Sequence, residues 1–124
     1  MSTYRLIIPG RLPGLNEYIA VERRNRHAAA AMKKGTQRII NKEIAVQLRR
    51  IRIKKQVFVR YLWVEKNKRR DKDNVAFARK FIQDSLVACQ VLENDGWANI
   101  AGFSDEFAVD NKNPRVEVTI TEIE

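Results

Sequence analysis

Apolar and polar positions change their spacing along the chain, and each change predicts an element. Tyr4 to Ile8 is a short, apolar, β-branched run halted by Pro9-Gly10, and predicts a first strand. Pro9, Gly10, Pro13 and Gly14 follow as a loop that delivers Leu15, Asn16 and Tyr18; composition alone favours plain turn chemistry there. From Thr36 to about Arg50, Ile40, Ile44, Leu48 and Ile51 recur at helical spacing, with Arg38, Lys42 and Arg49 off the stripe. Gly35 is expected to interrupt or begin that helix. Gln56 to Glu65 predicts the strongest strand. It is apolar on both faces except at Arg60, so a central place covered on both sides is expected, with Trp63 in the core. Asp73 or Asn74 caps a helix running to about Gln90, with Val75, Ala78, Ile82 and Cys89 as its buried stripe. In one continuous helix, Asp73, Phe77, Lys80 and Asp84 would share another face. Trp97 to Val109 reads as one or two short strands. Arg115 to Thr121 alternates strictly, placing Val116, Val118 and Ile120 on the buried face of a last strand. The order predicts one α+β domain over residues 1–124, a mixed sheet flanked by two main helices.

Charge narrows the function. The chain has 124 residues, 44% of them hydrophobic and 31% charged, a globular balance. Its net charge is +9, and residues 1–83 hold 22 Lys/Arg against 6 Asp/Glu. Such an excess favours an anionic partner, nucleic acid first and an anionic membrane surface second. Arg23, Arg24 and Arg26 form one basic cluster, and Lys68, Arg69 and Arg70 another. Residues 84–124 are acidic, and screening of the basic surface, pairing with another subunit or a solvated edge all fit. Cys89 and His27 are the only residues of their kinds, which excludes an internal disulfide and a Cys/His zinc site. A reducing, cytoplasmic compartment fits. The apolar run at the N-terminus is too short for a signal peptide or a membrane span.

Carboxylates embedded in positive charge mark the stretch from Lys66 to Asp95. Asp71 and Asp73 interrupt the run Lys66-Asn67-Lys68-Arg69-Arg70 and Lys72. In extended chain their spacing points both carboxylates to one side, ahead of a helix N-terminus that favours anions. Hydrolysis of a phosphodiester needs an activated water and neutralised phosphoryl charge, and a divalent cation held by a few carboxylate oxygens supplies both. Asp95 is the best third oxygen, but it lies past the far end of a helix. Either the chain bends sharply there or Asp95 serves a site shared between subunits. The plainer readings are a helix cap at Asp73, an ion pair from Asp71 to Arg69 or Arg70, a solvated Lys80 and a simple Asp95-Gly96 turn.

The ordered set Arg70-Asp71-Lys72-Asp73-Asn74, Lys80, Asp84-Ser85-Leu86 and Asn94-Asp95 resembles the RusA-type family of Holliday junction resolvases. Leu12-Pro13-Gly14-Leu15-Asn16-Glu17-Tyr18 is similar to the family's proline-rich motif after its first strand. The resemblance implies a homodimeric, Mg²⁺-dependent endonuclease (Mn²⁺ serving as well) that resolves four-way DNA junctions in recombination and repair. It implies Asp71, Asp73 and Asp95 as metal ligands and Lys80 as the catalytic lysine, with Asn16 and the two basic clusters on DNA. This chain departs from the family in having Asn94-Asp95 for two adjacent aspartates, and in a segment from Asp73 to Asp84 that is three residues longer. Lys72 and Arg79 are therefore alternatives to Lys80. Two other functions fit the same residues: a non-catalytic, basic nucleic-acid-binding module, and a nuclease for flaps or forks. Asp105, in Phe103-Ser104-Asp105-Glu106-Phe107, reads as a surface turn.

Overall fold

The run predicted as the strongest strand is the one on which the others are laid. In the computed structural model, which describes residues 2–124, it forms β2 (Val57–Glu65). The remaining strands are β1 (Thr3–Pro9), β3 (Ile100–Val109) and β4 (Arg115–Glu122). They make one mixed sheet in the order β1-β4-β2-β3. β4 runs antiparallel to both β1 and β2, while β3 runs parallel to β2 and forms one edge. The single domain is α+β, as the interleaving of elements predicts.

Four helices, α1 (Leu15–Arg24), α2 (Arg26–Gln47), α3 (Lys72–Ala76) and α4 (Arg79–Ala88), connect the strands. Leu6, Ile8, Val59, Tyr61, Trp63, Val116, Val118 and Ile120 are buried in one core with Ile40 and Ile44 of α2 and Phe81, Ile82 and Leu86 of α4. The alternation of β4 and the stripe of α2 are thus as expected. Coverage of β2 on both sides is not. Arg60 is exposed and Phe58 and Leu62 are only half-buried, because that face carries ion pairs instead of helices. Arg5 meets Glu117 at 2.7 Å and Arg60 meets Glu106 at 2.8 Å. The acidic C-terminal third therefore neutralises this side of the sheet, and the unpaired basic residues gather on the helices and the loop after β2.

Three helical expectations are revised. α2 runs straight through Gly35, starting at Asn25, whose Oδ1 accepts from the His27 and Ala28 amides at 2.8 and 3.3 Å. The segment after Gly14 is the helix α1, opened by Glu17 reaching back to the Gly14 amide at 3.3 Å. The helix expected from Asp73 to Gln90 breaks in two. The amides of Lys80 and Phe81 bond three residues back, to Phe77 at 3.2 Å and Ala78 at 3.0 Å, which tightens the turn. The break changes the helical phase, so Asp73 and Lys80 do not share a face.

The two sheet edges are treated differently. At β1, Gln47 of α2 takes both outward-facing backbone groups of one residue: the Ile7 amide donates to its Oε1 at 2.7 Å, and its Nε2 donates to the Ile7 carbonyl at 2.7 Å. The outer edge of β3 has no such cover among the described residues. No helix among them is long and apolar enough to cross a membrane.

Candidate active site

The loop from Lys66 to Asp71 has to turn the chain from the end of β2 into α3, and Arg70 holds it. Its guanidinium donates to both oxygens of Glu65, at 2.8 and 2.9 Å, and to the Leu12 carbonyl at 3.0 Å. It also stands 3.4 Å from Glu17, which Arg11 grips from the other side. Burial pushes the Glu17 carboxyl up, but its bonds to Arg11 and the Gly14 amide and the nearby Arg70 outweigh that and hold it below the usual range. Asn74 Oδ1 accepts from the Asn16 amide at 2.9 Å. A Cβ at Gly14 would lie 2.6 Å from that same oxygen, so only glycine lets the Pro-Gly loop come this close. The motif after the first strand is therefore a brace for the loop and for α3. Arg70, expected on DNA, is part of that brace and only 14% exposed.

The brace presents Asp71 and Asp73. Both are exposed, and both line a cavity of about 870 Å³ at the ends of β2 and β3, together with Glu65, Lys68, Lys72 and Phe107. Asp71 stands at the N-cap of α3, but its carboxylate makes no capping bond. Asp73 Oδ1 accepts only the neighbouring Asn74 amide, at 2.9 Å. Neither forms an ion pair among the described residues, although 24 Lys and Arg are present. The expected pairing of Asp71 with Arg69 or Arg70 is absent because Arg70 is committed to Glu65. Two unpaired carboxylates two residues apart, in a cavity rimmed by cations, suit a hard divalent ion by the chemistry of their oxygens.

The third aspartate is elsewhere in the chain. β2 and β3 are parallel, so the chain that leaves β2 at Glu65 must return to the other end of the sheet to start β3 at Ile100. Asp95 precedes that start. It is separated from the cavity by the length of β3, roughly 30 Å at about 3.3 Å per residue. Its carboxylate is exposed and without an ion pair, and among the described residues no three acidic or metal-ligating side chains stand together. A single chain does not bring Asp71, Asp73 and Asp95 to one cation.

Lys80 is also outside the cavity. It is 68% exposed and lies 3.5 Å from Asp84, which Lys33 approaches at 3.7 Å. The cations beside the aspartates are Lys68 and Lys72, and Arg79 in an adjoining cleft that Asp73 and Lys72 also line. Lys72 Nζ sits 5.5 Å from the Phe107 ring centre. Arg79 lies 4.2 Å over Phe103 and pairs with Asp105, which also accepts from the Trp63 indole at 2.9 Å. Asp105 is therefore a half-buried acceptor inside β3 rather than a surface turn. One signal for it existed in the sequence: a core tryptophan needs an acceptor for its N–H. Arg23, Arg24 and Arg26 cluster exposed where α1 meets α2, Lys68 and Arg69 are exposed on the loop after β2, and Asn16 is exposed at the start of α1.

The arrangement can hold a polyanion by its phosphates and an oxygen-loving cation at two carboxylates. Among curated proteins none matches the chain. Residues 17–121, from the first helix to the last strand, match the family profile described as endodeoxyribonuclease RusA. With the cavity of Asp71 and Asp73 inside the matched span, the chain belongs to the RusA endodeoxyribonuclease family, and it is a nuclease.

Proposed function

We propose that the protein resolves four-way DNA junctions as a homodimer, with each active site built from two chains. Asp71 and Asp73 of one subunit and Asp95 of the other hold a Mg²⁺ or Mn²⁺ ion. One observation carries this reading: the two halves of the carboxylate set lie at opposite ends of the parallel pair β2–β3, so a two-fold partner running the other way superposes the ends that one chain keeps apart. The free edge of β3 is the natural seam, since Gln47 closes the edge at β1. A two-fold dimer also offers two identical sites to the opposed strands of a junction.

When bound there, the cation supplies Lewis acidity to the phosphoryl oxygens and acidity to the attacking water. The chain's own residues do the rest. Asp71 and Asp73 are held in place by the Arg70–Glu65 brace and the Asn74–Asn16 bond. Lys72, beside Asp73, neutralises charge on the scissile phosphate. The exposed Arg23, Arg24, Arg26, Lys68 and Arg69 grip the arms through phosphates, with the steep salt dependence that such contacts bring. A non-catalytic DNA-binding module would use the carboxylates in ion pairs, and Asp71 and Asp73 have none.

The test is a panel of synthetic four-way junction, flap and fork, each with and without Mg²⁺ or Mn²⁺. The expected outcome is paired, symmetric nicks in the junction, dependent on the metal and lost with Asp71→Asn. Equal cutting of flap and fork would shift the substrate, and cutting by Asp71→Asn at the wild-type rate would remove the site.

A further inference from the structure

The segment around β3 carries three of the large apolar side chains that the fold leaves in water. Trp97 is 96% exposed, Phe103 45% and Val109 47%. They fall at equal intervals of six residues, with Phe103 in the middle. The loop before β3 is not slack: the Asn99 and Ile100 amides both bond to the Gly96 carbonyl, at 3.0 and 2.9 Å, and Gln56 Nε2 holds the Trp97 carbonyl at 2.9 Å. The backbone is tied down while the indole stands outside. A fixed, fully solvated tryptophan is costly unless something covers it, and tryptophan is enriched among the anchors of protein interfaces.

We propose that a second copy of this chain covers it, and that Trp97 is the anchor of the dimer. The inference rests on the two-chain site proposed above and names the register and the residue that create it. Two β3 edges paired antiparallel about Phe103 are self-complementary: Phe103 lies opposite Phe103, and Trp97 of each chain comes level with Val109 of the other. Val109 belongs, with Phe107 and Ala108, to the apolar wall of the cavity that holds Asp71 and Asp73. A cavity of about 870 Å³ has room for an indole against that wall and for an ion beyond it. Charge agrees with the fit. The arriving loop, Glu93-Asn94-Asp95, is acidic, and the receiving cavity is rimmed by Lys68 and Lys72. Asp95 lies two residues from the anchor, so seating Trp97 delivers the third carboxylate. Trp97 is thus a positioning residue acting through Asp95.

Tryptophan fluorescence reads this directly, because the only other tryptophan, Trp63, is 2% exposed and serves as a constant background. The full chain is diluted across its dimer dissociation, followed by sedimentation and by acrylamide quenching, without DNA or metal. In the dimer, Trp97 emission shifts to the blue and quenching falls severalfold; dilution reverses both. Trp97→Ala, which touches nothing in the core, weakens the dimer by about tenfold or more. In a Cys89→Ser background, Phe103→Cys forms a disulfide with its own copy on oxidation. A stable dimer in which Trp97 stays freely quenched overturns the anchor and leaves the shared site standing. Protection of Trp97 only when DNA is added overturns it in favour of stacking on a base. A chain monomeric at every concentration overturns both the anchor and the shared site. A dimer without the Phe103→Cys crosslink overturns the register.

Discussion

Lys72 and Lys80 carry the same charge, eight residues apart, and the structure gives them different tasks. Lys72 opens α3 between Asp71 and Asp73, lines the cavity with them, and rests on the Phe107 ring. Lys80 faces Asp84 one turn along α4 and is mostly solvated. A phosphate held at the two aspartates is in reach of the first and not of the second. Lys72→Ala is therefore expected to lower kcat on a junction by about 10²-fold, the effect of removing one donor from developing negative charge. Lys80→Ala is expected to stay within about threefold, the scale of an exposed i,i+4 pair. Single-turnover nicking rates at saturating enzyme check both, and the reverse order would return the role to Lys80. The residues themselves were legible: Asp71 and Asp73 stand out as acids in a basic run, and their cavity is where the sequence put the chemistry. The lysine was not, because its placement depends on a helix phase that the turn at Phe77 and Ala78 resets. Residues from opposite ends of the chain that only meet in three dimensions, such as Glu17 with Arg70 or Asp105 with Trp63 and Arg79, leave no local pattern.

Elements were legible wherever one face is buried. The alternation in β4 and the stripe Ile40, Ile44 and Leu48 in α2 come straight from the demand that apolar side chains leave water. Prediction failed where a polar group inside the fold replaces apolar periodicity. Phe103-Ser104-Asp105-Glu106-Phe107 is half acidic and polar, yet it is the middle of a ten-residue strand, because Trp63, Arg79 and Arg60 each meet one of its acids. β1 makes the complementary case. Its outward edge looks available from sequence, but Gln47 occupies it as a strand would. Gln47→Ala is expected to raise amide hydrogen exchange at Ile7 by about tenfold, the scale of one net hydrogen bond, and to leave β3 unaffected. Unchanged protection at Ile7 would show that the edge is closed by something other than this side chain. The difference between the two edges matters for function, since it leaves β3 as the strand that can recruit a second copy.

For the whole molecule, the fold class followed from the order of strand and helix patterns, and the basic surface from composition. What the sequence left open was whether Asp95 reaches the site by a bend in its own chain or from a neighbour. Parallel pairing of β2 and β3 decides that geometry: the entry to β3 and the exit from β2 lie at opposite ends, and no bend in residues 84–95 removes the length of the strand between them. The central claim is thus that a complete catalytic centre needs two chains. Mixing two inactive variants tests it most directly. A chain carrying Asp71→Asn and Asp73→Asn is refolded together with a chain carrying Asp95→Asn, and the mixture is assayed on a four-way junction with Mg²⁺. In each hybrid dimer one site has lost every carboxylate and the other has all three, so nicking should return to about a quarter of the wild-type level under random pairing, with single nicks replacing paired ones. If the mixture stays as inactive as its parents while hybrid dimers are present, each chain builds its own site and the account is wrong.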